Sequence, residues 1–173
     1  GLYMIVEITI ARSIAKQLPL NFRKREIKRL VRRISCAIND VDLTGTSLSL
    51  LITDDNQIAE LNAIYRHKSK PTDVLSFPAA DLPFSSGHNL IGQNLSGDGQ
   101  SEAQPLGDIV ISVETAARQA QSFGVTFESE MARLLVHGIL HLLGYEHEKV
   151  PSHIARRMRQ KEEEVLRVVG EGL

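Results

Sequence analysis

The sequence predicts an α/β (or α+β) domain with a small four-stranded sheet. Its helices surround one buried central helix. Three observations lead there. Apolar patterns of period two and period 3.6 alternate along the chain in the order βαβαββααα. The length of 173 residues suits one domain, 1–173, with a substantial core and is too short for two ordinary ones. One helical segment is apolar on nearly every side, which marks it as interior.

Each element has its own justification. Met4–Ile10 is a short apolar run suited to a strand; Gly1, Leu2 and Tyr3 before it are set aside as a possible vector-derived remnant. A helix follows from about Asn21 to Ile38, with Ile27, Leu30, Val31, Ile34 and Ile38 at helical spacing. Ser47–Ile52 reads as a strand. Thr53 or Asp54 caps the next helix, with Gln57 resembling the far end of a capping box. That helix should bury Ile58, Leu61, Ile64 and Tyr65 and end near His67, before Pro71. Asp73–Phe77 and Leu106–Ile111 are two further strands. Between them, 79–104 is rich in Ser, Gly, Asn and Pro and reads as a long mobile loop, with His88 an exposed loop histidine. Ser112 caps a helix expected to bury Val113, Ala116, Ala117, Ala120 and Phe123, closed by Gly124. Thr126 caps the interior helix, around which Met131, Leu134, Leu135, Val136, Ile139, Leu140 and Leu142 are spread. Pro151 opens a final helix that carries Ile154, Met158, Val165 and Leu166 and turns acidic at Glu162–Glu164.

Composition narrows the function classes. One cysteine excludes an intramolecular disulfide and fits a reducing compartment. No apolar run approaches membrane-span length and no signal pattern opens the chain, so a cytoplasmic location is expected, with no membrane partner. A net charge of −1 does not advertise nucleic-acid binding. Its distribution says more: seven Lys and Arg residues fall between Arg23 and Arg33, on the outer face of an amphipathic helix. Such a face is either solvated surface or a phosphate contact.

The chemistry lies in His137-Gly-Ile-Leu-His141-Leu-Leu-Gly144-Tyr-Glu-His147. Two histidines four apart share one helix face, and a glycine three residues on can end the helix and bring a third back. This is the H-x-x-x-H-x-x-G-x-x-H frame of the metzincin proteases, with Gly138 in place of the expected glutamate. His137, His141 and His147 are therefore candidate metal ligands. A closed structural zinc site would need a fourth ligand, and the sole cysteine, Cys36, sits in a distant helix. Three imidazoles with an open position for water is a catalytic arrangement. Without a carboxylate base at 138, the site lacks the group that moves protons in an ordinary zinc peptidase.

Further motifs sharpen this. Leu61-Asn-Ala-Ile-Tyr-Arg66-His-Lys-Ser-Lys-Pro71-Thr-Asp73-Val-Leu-Ser-Phe-Pro78, then Leu106-Gly-Asp108-Ile-Val-Ile-Ser112, then the histidine frame, resemble the YbeY family of metal-dependent, single-strand-specific endoribonucleases. The likeness runs in order over roughly Ser47 to His147. It implies a mainly parallel sheet and one divalent ion, expected to be Zn2+, on His137, His141 and His147. It implies cleavage of single-stranded RNA in 16S rRNA 3′-end maturation and a role in ribosome quality control. The small ribosomal subunit and its assembly factors would be partners, and no DNA is expected. Arg66 matches the family's activity-linked arginine, so Arg66 and His137 are the expected catalytic residues. Asp73 and Asp108 flank strands expected to border the cleft. They would act directly, position backbone, or orient a histidine's second nitrogen. Two departures stand out: Glu146 replaces the usual aspartate, and the loop before Leu106 is longer than usual. The alternatives are a metzincin-like zinc protease and a ribosome-assembly RNA-binding factor whose metal is mainly structural.

Overall fold

In the computed structural model, which describes residues 3–81 and 103–170, four strands form one sheet. They are β1 (Ile5–Ile10), β2 (Thr46–Thr53), β3 (Val74–Pro78) and β4 (Gln104–Ser112), in spatial order β1-β2-β4-β3. β1 runs parallel to β2 and β2 to β4, whereas β3 lies antiparallel at the edge beside β4. The sheet is mainly parallel, as the family resemblance implied. Five helices accompany it: α1 (Lys24–Ala37), α2 (Asp55–Arg66), α3 (Val113–Phe123), α4 (Phe127–Leu142) and α5 (Ser152–Gly170). Of the loop expected over 79–104, Ala79–Asp81 form a 3-10 turn and Gln104 already begins β4. Residues 82–102, including His88, lie outside the described residues.

Strand alternation divides the core in two. Leu48, Leu50, Ile52, Ile109 and Ile111 face α1, α4 and α5 and build the main core with Ile27, Leu30, Val31, Ile34, Met131, Leu135, Ile139 and Val165. Leu51, Leu75, Phe77 and Val110 face the other way, where α2 covers them with Ile58, Leu61 and Tyr65. Helix α4 is central: it packs on β3, β4, α1, α3 and α5. Ten of its residues are buried, including Gly138 and Leu140.

Two expectations about helix faces and one about a helix start are corrected. On α2 the inward stripe is Ile58, Leu61, Asn62 and Tyr65, spaced i, i+3, i+4, i+7, which turns Ile64 away from it. Ile64 is 64% exposed, while Asn62 is buried. On α3, Ala117 and Phe123 are exposed, because the helix presents only Val113, Ala116 and Ala120 to its neighbours. Helix α1 begins at Lys24 instead of Asn21: Phe22 sits in a preceding turn, inserting its ring edge-to-face 5.5 Å from Phe127 of α4.

Capping follows the local chemistry. Asp54, and not Thr53, caps α2 by accepting the Gln57 amide. Ser112 and Thr126 cap α3 and α4 through the amides of Thr115 and Ser129.

Candidate metal centre

Helix α4 sets the first two histidines one turn apart, and the chain then reverses. Gly144 adopts φ 97°, a left-handed conformation that side chains disfavour. Its amide donates to the His141 carbonyl and the Tyr145 amide to the Leu140 carbonyl, both at 3.0 Å. This pair of bonds is a Schellman close. It returns the chain so that His147 reaches the same point.

The three Nε2 atoms converge. Those of His141 and His147 lie 3.1 and 3.2 Å from that of His137. An ion 2.0–2.1 Å from two tetrahedral ligand nitrogens holds them about 3.3–3.4 Å apart, so the donor set fits zinc-like coordination. Lone pairs placed this close repel unless a cation lies between them. The His137 and His141 side chains are about four-fifths buried, and burial, reinforced by the charges of His137 and His147, pushes the His141 imidazole down to about 4. At neutral pH His141 is therefore an unprotonated donor. The cluster could hold a divalent metal ion.

The surroundings are cationic. The cluster lies in a cleft of about 700 Å³ lined by Arg66, Lys68, Lys70, Arg133 and Lys149, against the carboxylates of Asp73, Glu146 and Glu148. Positive charge thus gathers here on a chain whose overall charge is −1. Arg66, in the last turn of α2, donates to the Ser76 carbonyl of edge strand β3 at 2.7 Å and lies 4.9 Å from the Phe77 ring centroid. These contacts fix its planar guanidinium on the cleft wall. Asn62 shapes the adjoining turn: its side chain donates to the Lys70 carbonyl and its own carbonyl receives the Lys68 amide. Burying this one polar residue on the inward face of α2 holds Lys68 and Lys70 on the cleft.

Asp73 takes a backbone role. Asp73 accepts the amide of Val74 (2.7 Å) and a hydrogen bond from Gln119 (3.2 Å), tying the start of β3 to α3. Asp108 is buried on the Val110 face of β4, away from the face on which α4 lies. The carboxylate that meets a histidine is instead Glu162 of α5, 2.5 Å from His137 Nδ1. In the sequence this residue shows only as part of an acidic run. Arg133 also escaped sequence reading. It lies one turn before His137 on α4, held by Glu130.

Gly138 has a packing cause. A Cβ at this position would sit 3.0, 3.2 and 3.3 Å from three side-chain carbons of Ile109. A Cβ here is directed at β4, so with glycine at 138 helix and sheet meet without the shift of Ile109 that a side chain would require.

A buried helix that brings three imidazoles together beside a cationic groove defines a class: small α/β proteins able to hold a divalent ion next to an anionic substrate. The chain belongs to the endoribonuclease YbeY family, whose sequence pattern matches residues 13–170. An endoribonuclease YbeY from Aquifex aeolicus is 39% identical over 156 residues, covering 89% of this chain and 92% of the relative. One from Heliobacterium modesticaldum is 44% identical over 135 residues, covering 74% and 72%. A Myxococcus xanthus relative of the same name is 48% identical over 126 residues, which cover 73% of this chain but 37% of that longer protein. A Thermotoga maritima protein solved in solution shares the fold, with a TM-score of 0.54 at 24% identity over 96% of this chain and 91% of the other. No helix among the described residues is long and apolar enough to cross a membrane.

Proposed function

We propose that this protein is a metal-dependent, single-strand-specific endoribonuclease that matures the 3′ end of 16S rRNA and serves ribosome quality control. It would act in the cytoplasm with the small ribosomal subunit and its assembly factors as partners. Membership of a family of RNA-cleaving hydrolases supports the reaction class. The observation that carries the reading is the approach of the His141 and His147 Nε2 atoms to that of His137, at 3.1 and 3.2 Å, within a cationic cleft.

His137, His141 and His147 would hold the ion, which we take to be Zn2+. Bound there, it would supply a water of lowered pKa and polarise a phosphoryl oxygen. The chain's own residues do the rest. Arg66, held by Ser76 and the Phe77 ring, offers its remaining N–H groups to a phosphate and stabilises charge that grows during cleavage. Lys68, Lys70 and Lys149 attract neighbouring phosphates of the strand. Position 138 carries no base, which is tolerable for a phosphodiester and disabling for peptide hydrolysis.

The test is cleavage of single-stranded RNA with and without chelator, using protein from a nuclease-deficient host and His141→Ala as control. Chelator and His141→Ala should both abolish cleavage. Equal cleavage by wild type and His141→Ala would point to a contaminating nuclease and favour an assembly factor with a structural metal.

A further inference from the structure

We propose that helix α5 supplies the positioning residue of the metal centre: Glu162 fixes the His137 ring so that Nε2, and not Nδ1, faces the ion. This rests on the three-histidine metal reading above and adds to it a residue outside the histidine frame.

A neutral imidazole donates from one nitrogen and accepts at the other, whereas an ionised carboxylate only accepts. With Glu162 Oε1 2.5 Å from Nδ1, the proton belongs on Nδ1 and the lone pair on Nε2. That lone pair points at the Nε2 atoms of His141 and His147. A ring flip would sacrifice the charge-assisted bond, so the carboxylate fixes both tautomer and orientation. No other histidine of the cluster has a carboxylate within hydrogen-bond distance among the described residues; His141 has the Tyr145 backbone instead. Glu146 lies 3.7 Å from His141 Nδ1 and is half exposed, while His137 and Glu162 are each only about one-fifth exposed.

The turn of α5 that carries Glu162 is itself anchored. Met158, Val165 and Val169 are buried in the main core. Lys161 is buried too, its ammonium 3.0 Å from Asp40 and 3.5 Å from Glu164. Asp40 also accepts the Tyr145 hydroxyl at 3.4 Å, two residues before His147. Adjacent residues of one helix therefore brace His137 directly and the His147 segment through Asp40.

Partners of this kind commonly contribute about 10- to 100-fold in metal affinity. The experiment is zinc affinity by competition with a chromophoric chelator, for wild type, Glu162→Ala, Glu162→Gln and the exposed neighbour Glu163→Ala. Urea midpoints of the metal-free proteins are measured alongside. Glu162→Ala should bind zinc about 10- to 100-fold more weakly. Glu162→Gln, which keeps an acceptor oxygen but no charge, should fall between, and Glu163→Ala should match wild type. If Glu162→Ala does not fold, the near-isosteric Gln variant decides the question alone. Wild-type affinity in the folded Glu162 variants would overturn the proposal, whether or not their urea midpoints fall. Failure of the wild type to bind zinc would instead overturn the metal reading on which it rests.

Discussion

Replacing Gly138 by alanine separates two forces of opposite sign. In an exposed helix interior the change is favourable by about 0.8–1.0 kcal/mol, because glycine loses more backbone entropy on folding. Here the added methyl meets Ile109 Cδ1 at 3.0 Å, Cγ2 at 3.2 Å and Cγ1 at 3.3 Å. Both elements are fixed by packing, so relief needs a shift of α4 or an off-rotamer Ile109, and overpacking of this kind costs about 1–3 kcal/mol. The expected net effect is destabilisation by about 1 kcal/mol. That corresponds to a melting temperature lower by roughly 2–4 °C for a chain of this size. A double-mutant cycle with Ile109→Val isolates the contact, since valine lacks the Cδ1 methyl that lies nearest. Alone, Ile109→Val should cost about 0.5–1.5 kcal/mol; in the Gly138→Ala background that cost should largely vanish. The assay is urea denaturation of chelator-treated protein, so that metal affinity does not mask the change. Stabilisation by Gly138→Ala close to the full propensity gain, with additivity to within about 0.3–0.5 kcal/mol, would refute the packing account. It would also return the missing glutamate to a purely chemical explanation.

Other expected outcomes concern the site and the surface. His141→Ala should purify without stoichiometric zinc, since two imidazoles hold an ion weakly; full occupancy by elemental analysis would contradict the ligand set. Arg66→Ala should keep zinc and fold yet lose RNA cleavage, and Arg66→Lys should not restore it, because an ammonium lacks the planar fork that bonds Ser76 and lies over Phe77. Normal turnover by Arg66→Ala would remove that residue from the mechanism. The metal-free protein should lose stability as pH falls from about 6.5 towards about 4: the unfolded chain takes up a proton at His141 that the folded chain, with its pKa at about 4, declines. Urea midpoints at pH 7, 5.5 and 4.5 test this, and a flat series would contradict it. If α1 contacts RNA, neutralising Arg29 and Arg32 should flatten the salt dependence of single-strand binding by about 1.4 in log–log slope. An unchanged slope would make that face ordinary solvated surface.

The histidine centre was legible because its geometry is local. Spacing of four on a helix and a glycine three residues later specify the convergence of His137, His141 and His147 almost without reference to the rest of the chain. The interior nature of α4 was legible for a similar reason: apolar residues surround it except along the stripe of Glu130, Arg133, His137 and His141. Helix faces were harder. Counting apolar residues put Ile64 and Phe123 inside, but a helix buries only the stripe its neighbours cover, and α2 gives one place in that stripe to Asn62. Its amide is needed to close the turn that carries Lys68 and Lys70.

Local pattern was enough to read an α/β chain whose three histidines are set to meet and whose position 138 offers no base, and the family resemblance added Arg66 as an expected neighbour. Tertiary structure alone decided why and with whose help. A Cβ at Gly138 would press on Ile109 of β4, a contact between residues 29 positions apart. Asp73 and Asp108, equally plausible in sequence as partners of a histidine, went to the backbone and to the opposite sheet face. Glu162, 25 residues beyond His137, took that place because α5 packs across α4. Spacing along one helix constrains what lies on that helix. Which carboxylate reaches an imidazole from another element depends on how whole elements pack, and no local pattern records that.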